Sequence, residues 1–152
     1  MPHFRAELTF PFPLERVFRF HARPENLADM APPGAEVTVV ERPSSLIVGA
    51  ELELKIGLYG MSQNVRLRIV DVDEPRLLVD EQVKGPFQKW RQRHLFTRTP
   101  DGGTHLTYEV EFEPPKGMLG FVITADRVLD GLQSAMPARE KRTREMLAAE
   151  AS

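Results

Sequence analysis

KWRQRHLFTRTPDGGTHLTYEVEFE, residues 89–113, is the segment that decides the fold. At its centre, residues 100–102 are typical of a three-residue hairpin loop. Pro and Asp suit the middle of a type I turn, and Gly supplies the left-handed residue. This loop pairs Thr99 with Gly103 and fixes the register of the strands on both sides. A two-residue loop would shift the register by one residue and place Trp90 beside a glutamate, so we reject it.

The predicted register brings polar and apolar side chains together on one face of the hairpin, because every second residue of a strand projects to the same side. This inner face consists of four cross-strand pairs: Trp90 with Phe112, Gln92 with Val110, His94 with Tyr108, and Phe96 with Leu106. A plain core does not normally hold so many hydrogen-bonding groups, since each needs a partner when buried. Two interpretations remain. The polar groups bond to one another, to buried water or to helix ends, or they anchor a ligand in an apolar hollow.

The rest of the chain predicts an α+β fold with one antiparallel sheet. Strands are indicated by alternating apolar and polar residues between short turns. They are predicted at His3–Phe10, 36–42, Glu51–Leu58, 65–69, Leu77–Lys84, 87–99 and Thr104–Glu113. A sheet of this length twists and tends to curl around a helix packed on one of its faces.

Helices are predicted in two places, after the first strand and at the C-terminal end. A short helix follows Pro13, which suits a first helical turn, and a second short helix is predicted over residues 25–30. The first of these buries Leu14, Val17, Phe18 and His21. A long helix begins at Leu119 and is kinked or restarted at Pro137. Its apolar stripe consists of Phe121, Ala125, Val128, Leu129, Leu132 and Met136.

The composition indicates an ordinary soluble domain. The 152 residues suffice for one domain, residues 1–152, with a sizeable core. The net charge of −2 argues against a dedicated nucleic-acid binder, and the absence of Cys excludes disulfides and thiolate chemistry. We find no signal peptide or membrane-spanning run and expect a cytoplasmic protein. No phosphate-binding glycine loop or metal-ligand spacing occurs, so we expect neither a cofactor nor a metal.

Four stretches of the chain also match the pattern of a known family: PLERVFRFHARPENL at 13–27, GPFQKWRQRHLF at 85–96, GGT at 102–104 with YEV at 108–110, and PPKGMLG at 114–120. They resemble the START/Bet v 1-like (SRPBCC) superfamily, particularly its bacterial polyketide cyclase/dehydrase-like and coenzyme Q-binding members. The resemblance implies a helix-grip fold, in which a curved seven-stranded antiparallel sheet grips the C-terminal helix and leaves a cavity. Residues 136–140, MPARE, depart from the family: Arg139 is kept, whereas the aromatic residues and His that relatives often have there are absent.

Two residues are candidates for acid/base chemistry. His94 lies beside the phenol of Tyr108, and the two could act as an acid/base pair; the alternative is that His94 only forms a hydrogen bond. If residues 85–86 form a two-residue loop, Glu81 faces Trp90 on the inner face. Glu81 could there serve as a general base with a raised pKa; the alternative is a salt bridge at the rim.

The first functional hypothesis is a small protein that binds, and so transports or sequesters, a hydrophobic ligand such as a lipid, a quinone or a polyketide-like aromatic. The expected ligand-binding residues are Trp90, Gln92, His94, Phe96, Leu106, Tyr108, Val110, Phe112, Phe121, Ala125 and Leu132. The second hypothesis is a cyclase/dehydratase-type enzyme that uses His94, and the third is a regulatory protein-interaction module. Membrane contact would be transient, nucleic acid is not an expected partner, and the chain would be a monomer or a homodimer.

Overall fold

The computed structural model describes residues 1–26, 35–58 and 60–150 of the chain. Within these ranges, seven strands form an antiparallel sheet in the order β1-β7-β6-β5-β4-β3-β2. The strands are β1 His3–Phe10, β2 Glu36–Glu41, β3 Glu51–Leu58, β4 Met61–Asp73, β5 Leu77–Lys84, β6 Lys89–Arg98 and β7 Thr104–Glu113. The sheet is curved and wraps around a long C-terminal helix, which confirms the predicted α+β helix-grip fold.

Helix α1, Leu14–His21, connects β1 to the rest of the sheet. Its N-cap is Pro13, whose extended backbone suits the position before the first helical turn. The predicted face is buried, and Phe20 is fully buried as well. The second short helix was predicted over residues 25–30, of which 27–30 lie outside the described residues.

The C-terminal helix does not begin at Leu119 as predicted. The chain forms one turn there, α2 Leu119–Val122, and leaves the helical conformation at Ile123, where φ is −99° and ψ is 79°. The long helix is α3, Ala125–Glu150, and it contains Pro137 without a restart. Because the helix is broken at this point, Phe121 of the predicted apolar stripe is 84% exposed. The expectation that Phe121 faces the interior is therefore wrong.

The β6–β7 hairpin has the predicted register. Trp90 pairs with Phe112, and the three further pairs follow as expected from the turn. The Thr99 N–H donates to the Gly103 carbonyl over 3.1 Å, and Gly102 has a φ of +85°. The turn chemistry of the sequence therefore determines the register of these two strands.

The β5–β6 register differs by one residue from the prediction. Asp80 pairs with Gln92, and Glu81 pairs with Arg91 instead of Trp90. The cause is the side chain of Gln82, whose Nε2 donates to the Phe87 carbonyl over 2.7 Å and whose Oε1 accepts from the Phe87 N–H over 3.3 Å. These bonds hold a longer loop than the two residues expected. A one-residue shift moves each side chain of the strand to the opposite face, so Glu81 points outward and Asp80 points inward.

The solid part of the core lies under β1, β6 and β7. It is closed by α1 and by the last turns of α3, and the Arg16 Nη2 donates to the Leu147 carbonyl over 2.5 Å where the two helices meet. The fully buried large side chains here are Phe10, Val17, Phe20, Phe96, Leu106, Val110, Phe112 and Leu147. The concave face of β2 to β5 is not filled in this way, and the cavity described below occupies it.

Within the described parts of the chain, none of the helices combines the length and apolar character that are needed to cross a membrane.

Candidate ligand-binding site

A cavity of about 480 Å³ lies between the concave face of the sheet and α3. This volume is within the range of small-molecule sites, roughly 300–1,000 Å³. Its apolar lining comes from β2 to β6, from α3 and from the connecting segments: Val37, Leu46, Leu52, Leu54, Ile56, Met61, Val65, Leu67, Ile69, Leu78, Phe87, Trp90, Ile123, Val128 and Leu132. The surface of the cavity is therefore mainly hydrophobic.

Strict alternation along β3 and β4 produces this wall. From Leu52 to Ile56 and from Met61 to Ile69, every second residue points into the cavity, and the intervening residues are charged or polar and point to solvent. On the outer face, Arg66 forms ion pairs with Glu41, Glu51 and Glu53 at distances of 2.8, 3.2 and 3.4 Å. A register slip would bury these charges, so the pattern holds the apolar side chains on the inside.

One end of the cavity carries a hydrogen-bonded chain of polar side chains. The Tyr108 hydroxyl donates to Gln92 Oε1, and Gln92 Nε2 donates to Asp80 Oδ1 over 3.0 Å. Asp80 on β5 pairs directly with Gln92 on β6, whereas Tyr108 on β7 pairs with His94 and reaches Gln92 diagonally. Burial raises the pKa of Asp80 to about 6, while the hydrogen bond from Gln92 and the charge of Arg139 act in the opposite direction.

Two histidines line the same end of the cavity, with ring centroids 6.0 Å apart. His21 Nδ1 lies 2.8 Å from the Val17 carbonyl, and His94 Nδ1 lies 3.3 Å from the Leu78 carbonyl. A carbonyl only accepts, so Nδ1 is the protonated nitrogen in both rings. Burial lowers the pKa of His21 to about 3 and that of His94 well below its usual value. Both rings are therefore neutral near pH 7, with Nε2 as an acceptor.

Arg139 is the cation of this polar end. It extends from α3 into the cavity, and its Cζ lies 4.4 Å from the centroid of the Tyr108 ring. Its Nε is buried without a hydrogen-bond partner among the described residues, as is Nε2 of His21. Both atoms are polar groups that a bound molecule could satisfy.

Only part of the expected ligand-binding set lines the cavity. Trp90, Gln92, His94 and Leu132 do so. Phe96, Leu106, Val110 and Phe112 are fully buried in the solid part of the core, where Phe18 of α1 packs on Phe96 and the rings of Phe87 and Trp90 pack on Phe112. Tyr108 is buried and reaches the site through its bond to Gln92, and Ala125 is half-buried against the core. Phe121 lies in solvent.

Of the two acid/base candidates, His94 keeps its expected position beside Tyr108, whereas Glu81 does not. Glu81 lies on the outer face, where it forms the alternative salt bridge with Arg91 at 2.6 Å. His94 is in the site, but its lowered pKa makes it a weak base near neutral pH. Among the described residues, no cluster of three or more His, Cys, Asp or Glu side chains could hold a metal ion.

Sequence reasoning missed Asp80, Arg139 and most of the β3–β4 wall. The signal for Arg139 was present, because it continues the apolar helical stripe of Val128, Leu132 and Ala135 at helical spacing. Asp80 was missed because its face depended on the loop before β6. The alternation of apolar and polar residues in β3 and β4 was recognised, but the same alternation is expected whether the apolar side chains line a cavity or fill a core.

A curved antiparallel sheet that grips a long C-terminal helix, with a largely apolar cavity between the two, defines a helix-grip ligand-binding domain. The chain belongs to the family described as polyketide cyclase / dehydrase and lipid transport, whose model matches residues 10–136. This places it in the SRPBCC/Bet v 1-like superfamily.

Solved structures show the same fold at low sequence identity. Protein TTHA0849 from Thermus thermophilus is 20% identical, with a TM-score of 0.74 over 99% of this chain and 100% of that chain. Protein Ms6760 from Mycobacterium smegmatis is 23% identical, with a TM-score of 0.70 over 98% and 92%. The Bet v 1-type allergen Ara h 8.0201 is 18% identical, with a TM-score of 0.66 over 97% of both chains. No curated protein matches this sequence.

Proposed function

We propose that the protein binds a small, mainly hydrophobic molecule in the cavity and thereby carries or sequesters it. The observation on which this proposal depends is the cavity of about 480 Å³, whose wall consists mainly of aliphatic and aromatic side chains. Burial of apolar ligand surface contributes about 25 cal/mol per Å², so about 200 Å² would contribute roughly 5 kcal/mol. Binding of this kind requires no proton transfer, in agreement with the neutral His94.

The experiment is a fluorescence titration with N-phenyl-1-naphthylamine, an uncharged apolar dye that brightens in hydrophobic surroundings. We expect saturable binding with a dissociation constant of about 0.2 mM or tighter, the value to which roughly 5 kcal/mol corresponds. Trp90 is the only Trp in the sequence and lines the cavity, so energy transfer from Trp90 to the dye should accompany binding. Absence of saturable binding to the folded protein would contradict the proposal.

A matched pair of variants locates the dye. Leu132 of α3 lines the cavity, so Leu132→Trp fills part of it and should weaken dye binding at least tenfold. Leu129 lies on the same helix and is half-buried outside the lining, so Leu129→Trp should leave the dye affinity within about twofold. Equal affinities in the two variants would show that the dye binds elsewhere.

A cyclase/dehydratase-type enzyme is the second candidate, and one observation favours it. Asp80 is a buried carboxyl group in the site whose pKa of about 6 is close to the working pH, as is required of a general base. The two candidate functions are distinguished by incubating the purified protein with the molecule that is extracted from it. A carrier returns it unchanged after incubation, whereas an enzyme converts it, and Asp80→Asn would stop the conversion.

A further inference from the structure

We propose that the ligand of this cavity is an apolar monocarboxylic acid, and that Arg139 binds its carboxylate while the hydrocarbon part lies against the β3–β4 wall. This inference rests on the proposed function and specifies the chemical class of the ligand. The lining of the cavity is mainly apolar, and one arginine, Arg139, faces it.

Arg139 has no fixed counter-ion in the described parts of the chain. No carboxylate oxygen there lies within 4.0 Å of its side-chain nitrogens, and its buried Nε has no hydrogen-bond partner. The Arg139 side chain is half-buried, and its Nε is shielded from water without a hydrogen-bond partner, which is costly because burial removes the hydration of this N–H group without replacement. An anion entering the cavity supplies the missing partner.

Asp80 does not fill this role, although it lies close enough for its titration to respond to Arg139. Its Oδ1 already accepts the hydrogen bond from Gln92, which is held in turn by Tyr108. Burial raises its pKa to about 6, and a second carboxylate beside Arg139 would raise that pKa further. Binding of the ligand carboxylate therefore favours protonation of Asp80, which leaves the positive charge of Arg139 for the ligand.

The geometry of the arginine suits a carboxylate. A guanidinium presents parallel N–H groups that match the two oxygens of a carboxylate, and such bidentate pairs are among the stronger hydrogen bonds in proteins. The ring of Tyr108, 4.4 Å from the Arg139 Cζ, supports one face of the guanidinium and limits its orientation. The guanidinium group is therefore oriented before the ligand binds.

The charge of the lining favours a monoanion over a phosphate ester. Arg139 is the only Lys or Arg among the described lining residues, and the two histidines are neutral near pH 7 because burial lowers the pKa of each. A phosphate dianion would remain half-compensated beside Asp80. A neutral alcohol or ester would leave the guanidinium unpaired.

The test is displacement of N-phenyl-1-naphthylamine at pH 7.5 by decanoate, 1-decanol and decyl phosphate, which share one chain and differ in the polar end. We expect decanoate to bind the wild-type protein at least tenfold more tightly than either of the others. Decanol or decyl phosphate binding as tightly as decanoate would overturn the inference. Because the dye is uncharged, its own binding reports the proposed function separately.

Variants of Arg139 assign the effect to this residue. Arg139→Met keeps an unbranched side chain against Tyr108 but has no charge, and Arg139→Gln provides a polar uncharged alternative if the first variant does not fold. In either variant decanoate should lose at least tenfold in affinity, while decanol and the dye change by less than about twofold. Equal losses for decanoate and decanol would show that Arg139 only supports the structure of the site, and an unchanged decanoate affinity would show that the anion binds elsewhere.

Discussion

The charge states of four residues at the polar end of the cavity determine which groups can bind there. His21 and His94 are kept neutral by burial, which disfavours the charged imidazolium, and the positive charge of Arg139 acts in the same direction. Burial disfavours the charged form of Asp80 as well, but for a carboxyl group this raises the pKa. Near neutral pH the site therefore offers two neutral histidines as acceptors, the permanent cation Arg139, and the Asp80 carboxyl group, which is mostly ionised in the free protein because its pKa is about 6.

The pKa of His21 predicts how stability depends on pH. It falls from 6.5 in the unfolded chain to about 3 in the folded protein, so the unfolded state binds more protons between these values. Stability from His21 is therefore complete above about pH 6.5 and is lost as the pH falls towards 3. At pH 4.5 the loss is roughly 2–3 kcal/mol. Asp80 acts in the opposite sense, since its raised pKa favours the folded state on acidification between about 6 and 3.8.

The measurement is urea unfolding of the wild type and of His21→Gln at pH 7.5 and pH 4.5. Gln has no titratable group, so the variant should lose less stability than the wild type on acidification. Surface carboxylates such as Glu51, whose pKa is lowered by Arg68 and Arg66, act equally in both proteins and cancel in the comparison. Identical losses in the two proteins would contradict the assigned role of His21.

At the scale of elements, the two hairpins around β6 show what the sequence does and does not determine. The loop before β7 combines Pro, Asp and Gly at the positions that a three-residue turn requires, and the β6–β7 register followed from it. The loop before β6 contains Gly85 and Pro86, and its length depends instead on side-chain hydrogen bonds from Gln82. Such bonds form only in the folded chain, so the face of Asp80 and Glu81 could not be predicted from turn chemistry.

The left-handed residue of the β6–β7 turn provides a test at this scale. Gly102 has a φ of +85°, and a Cβ there would meet no atom within 4 Å, so any penalty of Gly102→Ala comes from backbone strain alone. We expect a loss of about 1 kcal/mol in the free energy of unfolding, measured with urea. Gly57→Ala is the control, because Gly57 lies in β3 and an added Cβ there would meet its nearest atoms at 3.8 Å or more, which is ordinary contact. A tolerated Gly102→Ala would mean that this turn does not constrain the register as described.

At the scale of the molecule, the sheet has a filled half and a hollow half. Under β1, β6 and β7 the core is closed by Phe18 and Phe20 of α1 and by Leu147 of α3, whereas the inner face of β2 to β5 borders the cavity. The inward alternation in β7 resembles that in β3 and β4, and the sequence analysis placed a possible hollow over the β6–β7 hairpin, whereas most of the cavity wall comes from β3 and β4. Its location depends on where α1 packs, which is a long-range property of the fold.

The measurement that tests the central claim most directly is an NMR experiment on methyl-labelled protein saturated with N-phenyl-1-naphthylamine. If the dye occupies the cavity, intermolecular cross-peaks connect it to the methyl groups of Leu52, Leu54 and Leu132, while Leu106 and Val110 in the filled half show none. Cross-peaks confined to the exposed methyl groups of Ile47 and Val48, or no cross-peaks with a folded and saturated protein, would contradict the account.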